Sequence, residues 1–252
     1  MANVSSPNIQ SAARRLAGHL VATPVIGALR LPGFPAPIGL RLKADLLQPS
    51  GSTWFRGAMH ALLRQMGAVR GVVSLGTPRQ MLGVAAAAEL HRLPLFAAPV
   101  VEGGVLDAAW AGAFAAYGCI VAPQPSWEAA RAAVEARRAT AGDHVLRLAD
   151  DEDVRTGLAT VGLELARELP SETEVVLVAP AELAEPLSLG LAAGGAPIPV
   201  QGLAAASAVP AAFGAAVRAG LRLDVGPAAL AALHAALQRG PSAERVCVVL
   251  AE

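Results

Sequence analysis

The chain has 252 residues, enough for one large or two modest domains with a full core, and 54% of them are apolar. Its 20 basic and 20 acidic side chains cancel, which removes the electrostatic case for a nucleic-acid or anionic-membrane partner. The uncharged stretch 186–217 is interrupted by four prolines and five glycines, so no spanning helix is expected there. Met1-Ala2-Asn3-Val4-Ser5-Ser6 lacks the basic and apolar regions of a secretory signal. Cys119 and Cys247 have neither metal nor disulfide spacing, and together these features predict a reducing cytoplasm.

In chain order, short apolar runs at 69–73, 94–101, 118–122 and 174–179 have the length of strands. Between them lie alanine-rich stretches of helical period, Trp127 to Thr140 and Gly157 to Leu169, and Ser126 is placed to cap the first of these. Alternating strands and helices predict an α/β protein with parallel sheets. Gly103-Gly104 and Gly194-Gly195 are too short to be nucleotide loops and read as turns. The five histidines, His19, His60, His91, His144 and His234, lie far apart with no cysteine companion, so no metal site is expected.

One residue type is nearly missing. Lys43 is the only lysine, against nineteen arginines. It opens the segment Lys43-Ala44-Asp45-Leu46-Leu47-Gln48-Pro49-Ser50-Gly51-Ser52-Thr53-Trp54-Phe55-Arg56-Gly57-Ala58. This segment resembles the hallmark of the fold-type II pyridoxal-phosphate (PLP) enzymes, in their threonine dehydratase and serine racemase branch. There the pattern reads Lys-x-Glu-Asp-Leu-Gln-Pro-Thr-Gly-Ser-Phe-Lys-x-Arg-Gly-Ala, and the second lysine carries PLP as a Schiff base. Trp54 stands at that position here, and Lys43 matches the other, structural lysine, expected to serve packing or surface pairing. A Schiff base needs a primary amine, and the arginine guanidinium does not replace it.

The similarity continues with the cofactor contacts altered. Ser74-Leu75-Gly76-Thr77-Pro78-Arg79-Gln80 resembles the family's Ser-Ala-Gly-Asn-His-Ala-Gln, with Thr77 in place of the asparagine that holds the PLP ring oxygen. The helix that follows there matches alanine-rich Met81 to Leu90. After strand Val175 to Pro180 the family places a run of glycines around the phosphate; here Ala181-Glu182-Leu183-Ala184-Glu185 follows. A carboxylate about 4 Å from a phosphate would oppose binding by roughly 4 kcal/mol per charge pair at an effective dielectric near 20. The family's last strand leads into a Ser-Gly-Gly-Asn segment that addresses the pyridine nitrogen, whereas Val246 to Glu252 shows no such segment. Ile9 to Thr23 is similar to the family's first helix, Asp151 to Glu164 to its return to the large domain, and Asp224 to Leu233 to a late Glu-Pro-Ser-Gly-Ala-Ala segment. Family members are usually longer, which implies trimmed connections.

The resemblance implies a tryptophan synthase β-like fold of two parallel-sheet α/β domains: residues 1–70 and 146–252 as the large domain, 71–145 as the small one. The altered contacts imply that PLP is absent, and the resemblance implies a dimer or an association with an active relative. Ligands of open α/β sheets sit beyond the carboxyl ends of strands, which gathers Ser52, Thr53, Trp54, Thr77, Arg79, Glu182 and Glu185 around one expected cleft. Arg79 would clamp a small carboxylate-bearing ligand, and Trp54 would wall the cleft or simply fill the space of the cofactor. Glu182 would be a base if burial raised its pKa, against a plainer reading as a solvated glutamate. Arg56 reads as a structural contact. Three functions follow: a pseudoenzyme binding a partner or small ligand; a PLP-independent lyase, isomerase or cyclase; and, last, an active PLP-dependent dehydratase, which would require Lys43 in the site.

Overall fold

The computed structural model describes residues 4–27, 40–169, 175–196, 198–203, 209–221, 225–238 and 245–249, with backbone alone at 175–178 and 245–246. Asp224 and residues 250–252, which entered the sequence comparison, lie outside this set. Cα proximity divides the chain into two compact units. The first holds residues 12–20 and 48–157; the second holds 4–11, 21–47 and 158–252. This grouping differs from the boundaries expected at 70/71 and 145/146. Helix α2 (Trp54–Arg64) and the start of α6 (Glu152–Glu168) group with the strands between them.

The first unit is built on a four-stranded sheet in the order β5-β4-β3-β6, formed by β3 (Val72–Gly76), β4 (Leu95–Pro99), β5 (Ile120–Val121) and β6 (His144–Leu146). All its pairings are parallel, with Val72 opposite Leu95 and His144. Parallel strands need crossovers, and α3 (Pro78–Leu90), α4 (Ala108–Ala116) and α5 (Trp127–Ala141) supply them. Ser126 caps α5 as expected, its Oγ accepting the Ala129 N–H at 3.1 Å. Val73, Ala98, Ala130 and Val134 form a core between the sheet and α5. The run at 69–73 starts its strand late because Val69 and Arg70 lie in the connection that follows the turn at 65–68. A Cβ at Gly71 would meet the Asp143 carboxylate.

The second unit carries a five-stranded sheet in the order β1-β2-β9-β7-β8. Its strands are β1 (Val25–Gly27), β2 (Arg41–Lys43), β7 (Val175–Pro180), β8 (Val200–Leu203) and β9 (Arg245–Val249), and only the β1–β2 pairing is antiparallel. Helices α7 (Ala181–Ala193), α8 (Ala211–Leu221) and α9 (Pro227–Gln238) belong to it, with the first residues of α1 (Ser6–Leu16) and most of α6. Leu42, Phe213, Val217, Leu233 and Val248 anchor its core. Among the described residues no helix is long and apolar enough to cross a membrane.

Helices approach each other closely at glycines. A Cβ on Gly190 of α7 would run into the Ala159 carbonyl of α6, and one on Gly162 of α6 would come within 2.8 Å of the Leu191 nitrogen. Only hydrogen fits at that crossing. Gly190→Ala should therefore lower stability in urea by about 1–3 kcal/mol, the usual cost of overpacking. Gly112→Ala, on α4 where nothing lies within 4 Å, is the control expected to stabilise slightly through helix propensity.

Candidate functional site

The segment that carries the family resemblance turns sharply before α2. Ser50 and Gly51 both take φ near 69°, left-handed backbone that glycine tolerates and serine rarely adopts. The Gly51 N–H closes the turn on the Gln48 carbonyl at 2.9 Å. Ser52 then returns to extended backbone, and its Oγ accepts the Trp54 N–H at 3.3 Å at the helix start. Ser52, Thr53 and Trp54 are all buried, Trp54 to 3% exposure. Gly83 of α3 lies against this helix start, where a Cβ would be 2.7 Å from the Phe55 nitrogen. Trp54 is thus a packed residue of the first unit. Arg56, two residues further on, is fully buried.

Thr77 opens α3 with a complete capping box. Its Oγ1 accepts the Gln80 N–H at 3.3 Å while the Gln80 Oε1 accepts the Thr77 N–H at 2.8 Å. Pro78 follows at the first helical position, which needs no N–H. Arg79, half-buried, donates from Nη1 to the Gly51 carbonyl at 3.4 Å, and its guanidinium lies 5.5 Å from the centre of the Trp110 ring. The first unit therefore brings Arg79 to the turn that precedes Ser52, Thr53 and Trp54. Ser50 lies in the same turn, and its Oγ is buried with no hydrogen-bond partner among the described residues. In the sequence Ser50 is marked only as a serine next to glycine in a turn.

Glu182 and Glu185 belong to the second unit and are exposed on α7. Residues 181–185, expected as a loop, form the first turn of that helix, because β7 runs into α7 with no residue between them. Partial burial, the condition for Glu182 to act as a base, is not met at an exposed position.

Lys43 is buried in the second unit, where its partners define it. Nζ lies 2.9 Å from the Thr23 carbonyl, 2.9 Å from Glu164 Oε2 and 2.9 Å from both oxygens of Glu168. Three donors meet three neighbours, so the ammonium is saturated. Of the two expected roles, surface pairing gives way to pairing in the interior, since Lys43 is fully buried. Thr23, whose carbonyl holds Lys43, also donates from Oγ1 to Asp45 at 3.1 Å. Burial pushes the Cys119 thiol up to about 11 and the Cys247 thiol up to about 12, so neither is a ready nucleophile at neutral pH.

No family model matches the chain, and no curated protein matches it either. Solved structures do. A pyridoxal 5'-phosphate-dependent aspartate racemase superposes with a TM-score of 0.83 at 20% identity, over 100% of this chain and 96% of that one. Serine racemase from Dictyostelium discoideum gives 0.80 at 15%, over 99% of this chain and 98% of that one. A threonine deaminase from T.th. gives 0.73 at 19%, over 98% and 97%. The chain has the fold of the fold-type II PLP enzymes, as its sequence resemblance implied. At these identities the likeness is one of fold.

Two substitutions separate structural from ligand-binding duties. Lys43→Met leaves Glu164 and Glu168 facing each other half-buried, and should cost about 3 kcal/mol in urea unfolding. Thr77→Ala removes the cap and should cost about 1 kcal/mol without any ligand present.

Proposed function

We propose that this chain is a PLP-free protein on the fold-type II scaffold, a pseudoenzyme that binds a partner or a small carboxylate-bearing ligand without turning it over. The observation that carries this reading is the state of Lys43. An internal Schiff base requires an amine that can shed its proton and attack a carbonyl. The only lysine instead has two carboxylates and a carbonyl within 2.9 Å of Nζ, which occupy the nitrogen from every donor direction.

The remaining residues do not fit the cofactor. Trp54 occupies the position of the Schiff-base lysine and is packed against α3. Thr77, in place of the ring-oxygen contact, uses its hydroxyl and its N–H in its own cap. At the phosphate position β7 passes directly into α7, the preceding Pro180 has no N–H, and Glu182 already sits in the first turn. An acidic side chain there complements the helix dipole and leaves less of it for an anion. The partner in this reading is a second copy or an active relative, and the setting is a reducing cytoplasm.

One observation favours the second reading, a PLP-independent enzyme of lyase, isomerase or cyclase type. A buried hydroxyl without a partner among the described residues, on a residue in left-handed backbone, is the kind of local cost that functional sites retain. Ser50 carries both features beside the carbonyl that Arg79 grips.

Treatment of the folded protein with PLP and borohydride, followed by intact mass and peptide mapping, tests the first reading. No stoichiometric adduct on Lys43 is expected until the chain is unfolded, when its carboxylate partners are gone. An equimolar adduct on Lys43 in the folded protein would overturn it. Native mass spectrometry followed by an assay of any retained molecule then decides between the readings: conversion of that molecule, lost on Ser50→Ala or Arg79→Met, favours the enzyme, and a molecule retained unchanged or a ligand-free homo- or hetero-oligomer favours the pseudoenzyme.

A further inference from the structure

His60 is an unusual acceptor. It sits on α2 at 2% exposure, and both ring nitrogens are taken within the first unit. Nη1 of Arg15, from α1, lies 3.0 Å from Nε2, and the Asp153 carbonyl of α6 lies 2.8 Å from Nδ1. A guanidinium can only donate, so Nε2 must accept, which leaves Nδ1–H to donate to the carbonyl. That assignment fixes one neutral tautomer. Protonation would put a second N–H against Arg15 and leave two cations facing each other.

We propose that Arg15, His60 and Asp153 form an acid-released latch within the first unit, which fastens the last turns of α1 to α2 at neutral pH and lets them go when His60 takes up a proton. The charged groups acting on the ring from the packed elements are Arg15 of α1, Arg64 of α2 itself and Asp153 of α6. The Arg64 Nε also reaches the Asp153 carboxylate at 3.3 Å, so part of that negative charge is already engaged. Burial first, then the two arginines, hold His60 below its ordinary 6.5, against the opposing pull of Asp153. The sign follows. The folded state binds fewer protons than the unfolded chain, so the contact is intact above about pH 6.5 and is lost as pH falls through the lowered value.

Ala12 and Leu16 of α1, both fully buried, add an apolar attachment that does not titrate. Loss of the latch therefore loosens the helix end without unfolding the unit. Gly157 of α6 lies against the base of the His60 side chain, where a Cβ would stand 2.8 Å from that of His60. The Nδ1–H bond to the Asp153 carbonyl survives protonation of the ring, so it is Arg15 that must leave.

Hydrogen exchange on the intact chain, compared at about pH 7.5 and about pH 5 after correction for intrinsic rates, reads this directly. Amides of residues 12–20 should exchange several-fold faster at the lower pH, while those of α5 stay within about twofold. His60→Gln, whose side-chain oxygen accepts from Arg15 without titrating, should abolish the difference. Arg15→Leu should show fast exchange at both pH values and serves if the glutamine variant does not fold. An equal rise in α1 and α5 would mean global acid unfolding and overturn the latch. So would an acid response that survives in His60→Gln or Arg15→Leu.

Discussion

An ammonium group removed wholly from water must be ringed by acceptors or the fold loses several kcal/mol, and the second unit is organised around meeting that demand for Lys43. The lysine stands at the end of β2, which is hydrogen-bonded to both β1 and β9. Its partners come from the chain just before β1 and from two residues one turn apart on α6. One side chain thereby fixes where α6 lies against the sheet and how the chain enters β1. Pairing of this kind contributes more to specifying an arrangement than to net stability, since the desolvation of three charges offsets most of the attraction.

The other organising constraint is the closeness of helices. Alanine and glycine dominate the interior helices, and where two cross, one partner gives up its Cβ: Gly83 against the start of α2, Gly157 against the middle of α2, Gly162 with Gly190 between α6 and α7. Near-contact of backbones leaves little room for large side chains, so a few bulky ones take on the filling. Trp54, Phe55 and Met59 are large residues of α2 and all are buried. A chain with so few aromatic residues places them where the helices would otherwise leave voids.

The architecture was legible because strand runs and helical periods survive at low sequence identity. Four apolar runs fall on β3, β4, β5 and β7, and the capping serine of α5 is where its spacing put it. The start of α6 was less legible. That helix begins at Glu152, not at Gly157, since the Asp151 carboxylate caps it by accepting the Val154 N–H. The Thr-x-x-Gln spacing of Thr77 and Gln80 is a readable capping signal, masked here by the match of Thr77 to a cofactor contact. The partners of Lys43 and His60 could not be read at all: Glu168 lies 125 residues from Lys43, and Arg15 lies 45 from His60. Nothing local in a sequence distinguishes a glutamate pair on a solvated helix face from one that closes over a buried lysine. Burial decides, and burial is a property of the assembled fold.

The residues that keep the hallmark segment recognisable have packing duties in this chain. Gly51 supplies a left-handed turn and the carbonyl that holds Arg79; Ser52 satisfies the first N–H of α2; Arg56 is enclosed in the interior. Such residues persist for the sake of folding whatever the chemistry, so a preserved motif is weak testimony to a preserved reaction. The informative positions are those whose local cost brings no visible packing. Ser50 is one, a strained residue whose buried hydroxyl has no partner among the described residues, and Arg15 against His60 is another, a cation bonded to a ring that must stay neutral. Glycine would relieve the first and an apolar pair would remove the second, so at these positions packing alone does not account for the residue present.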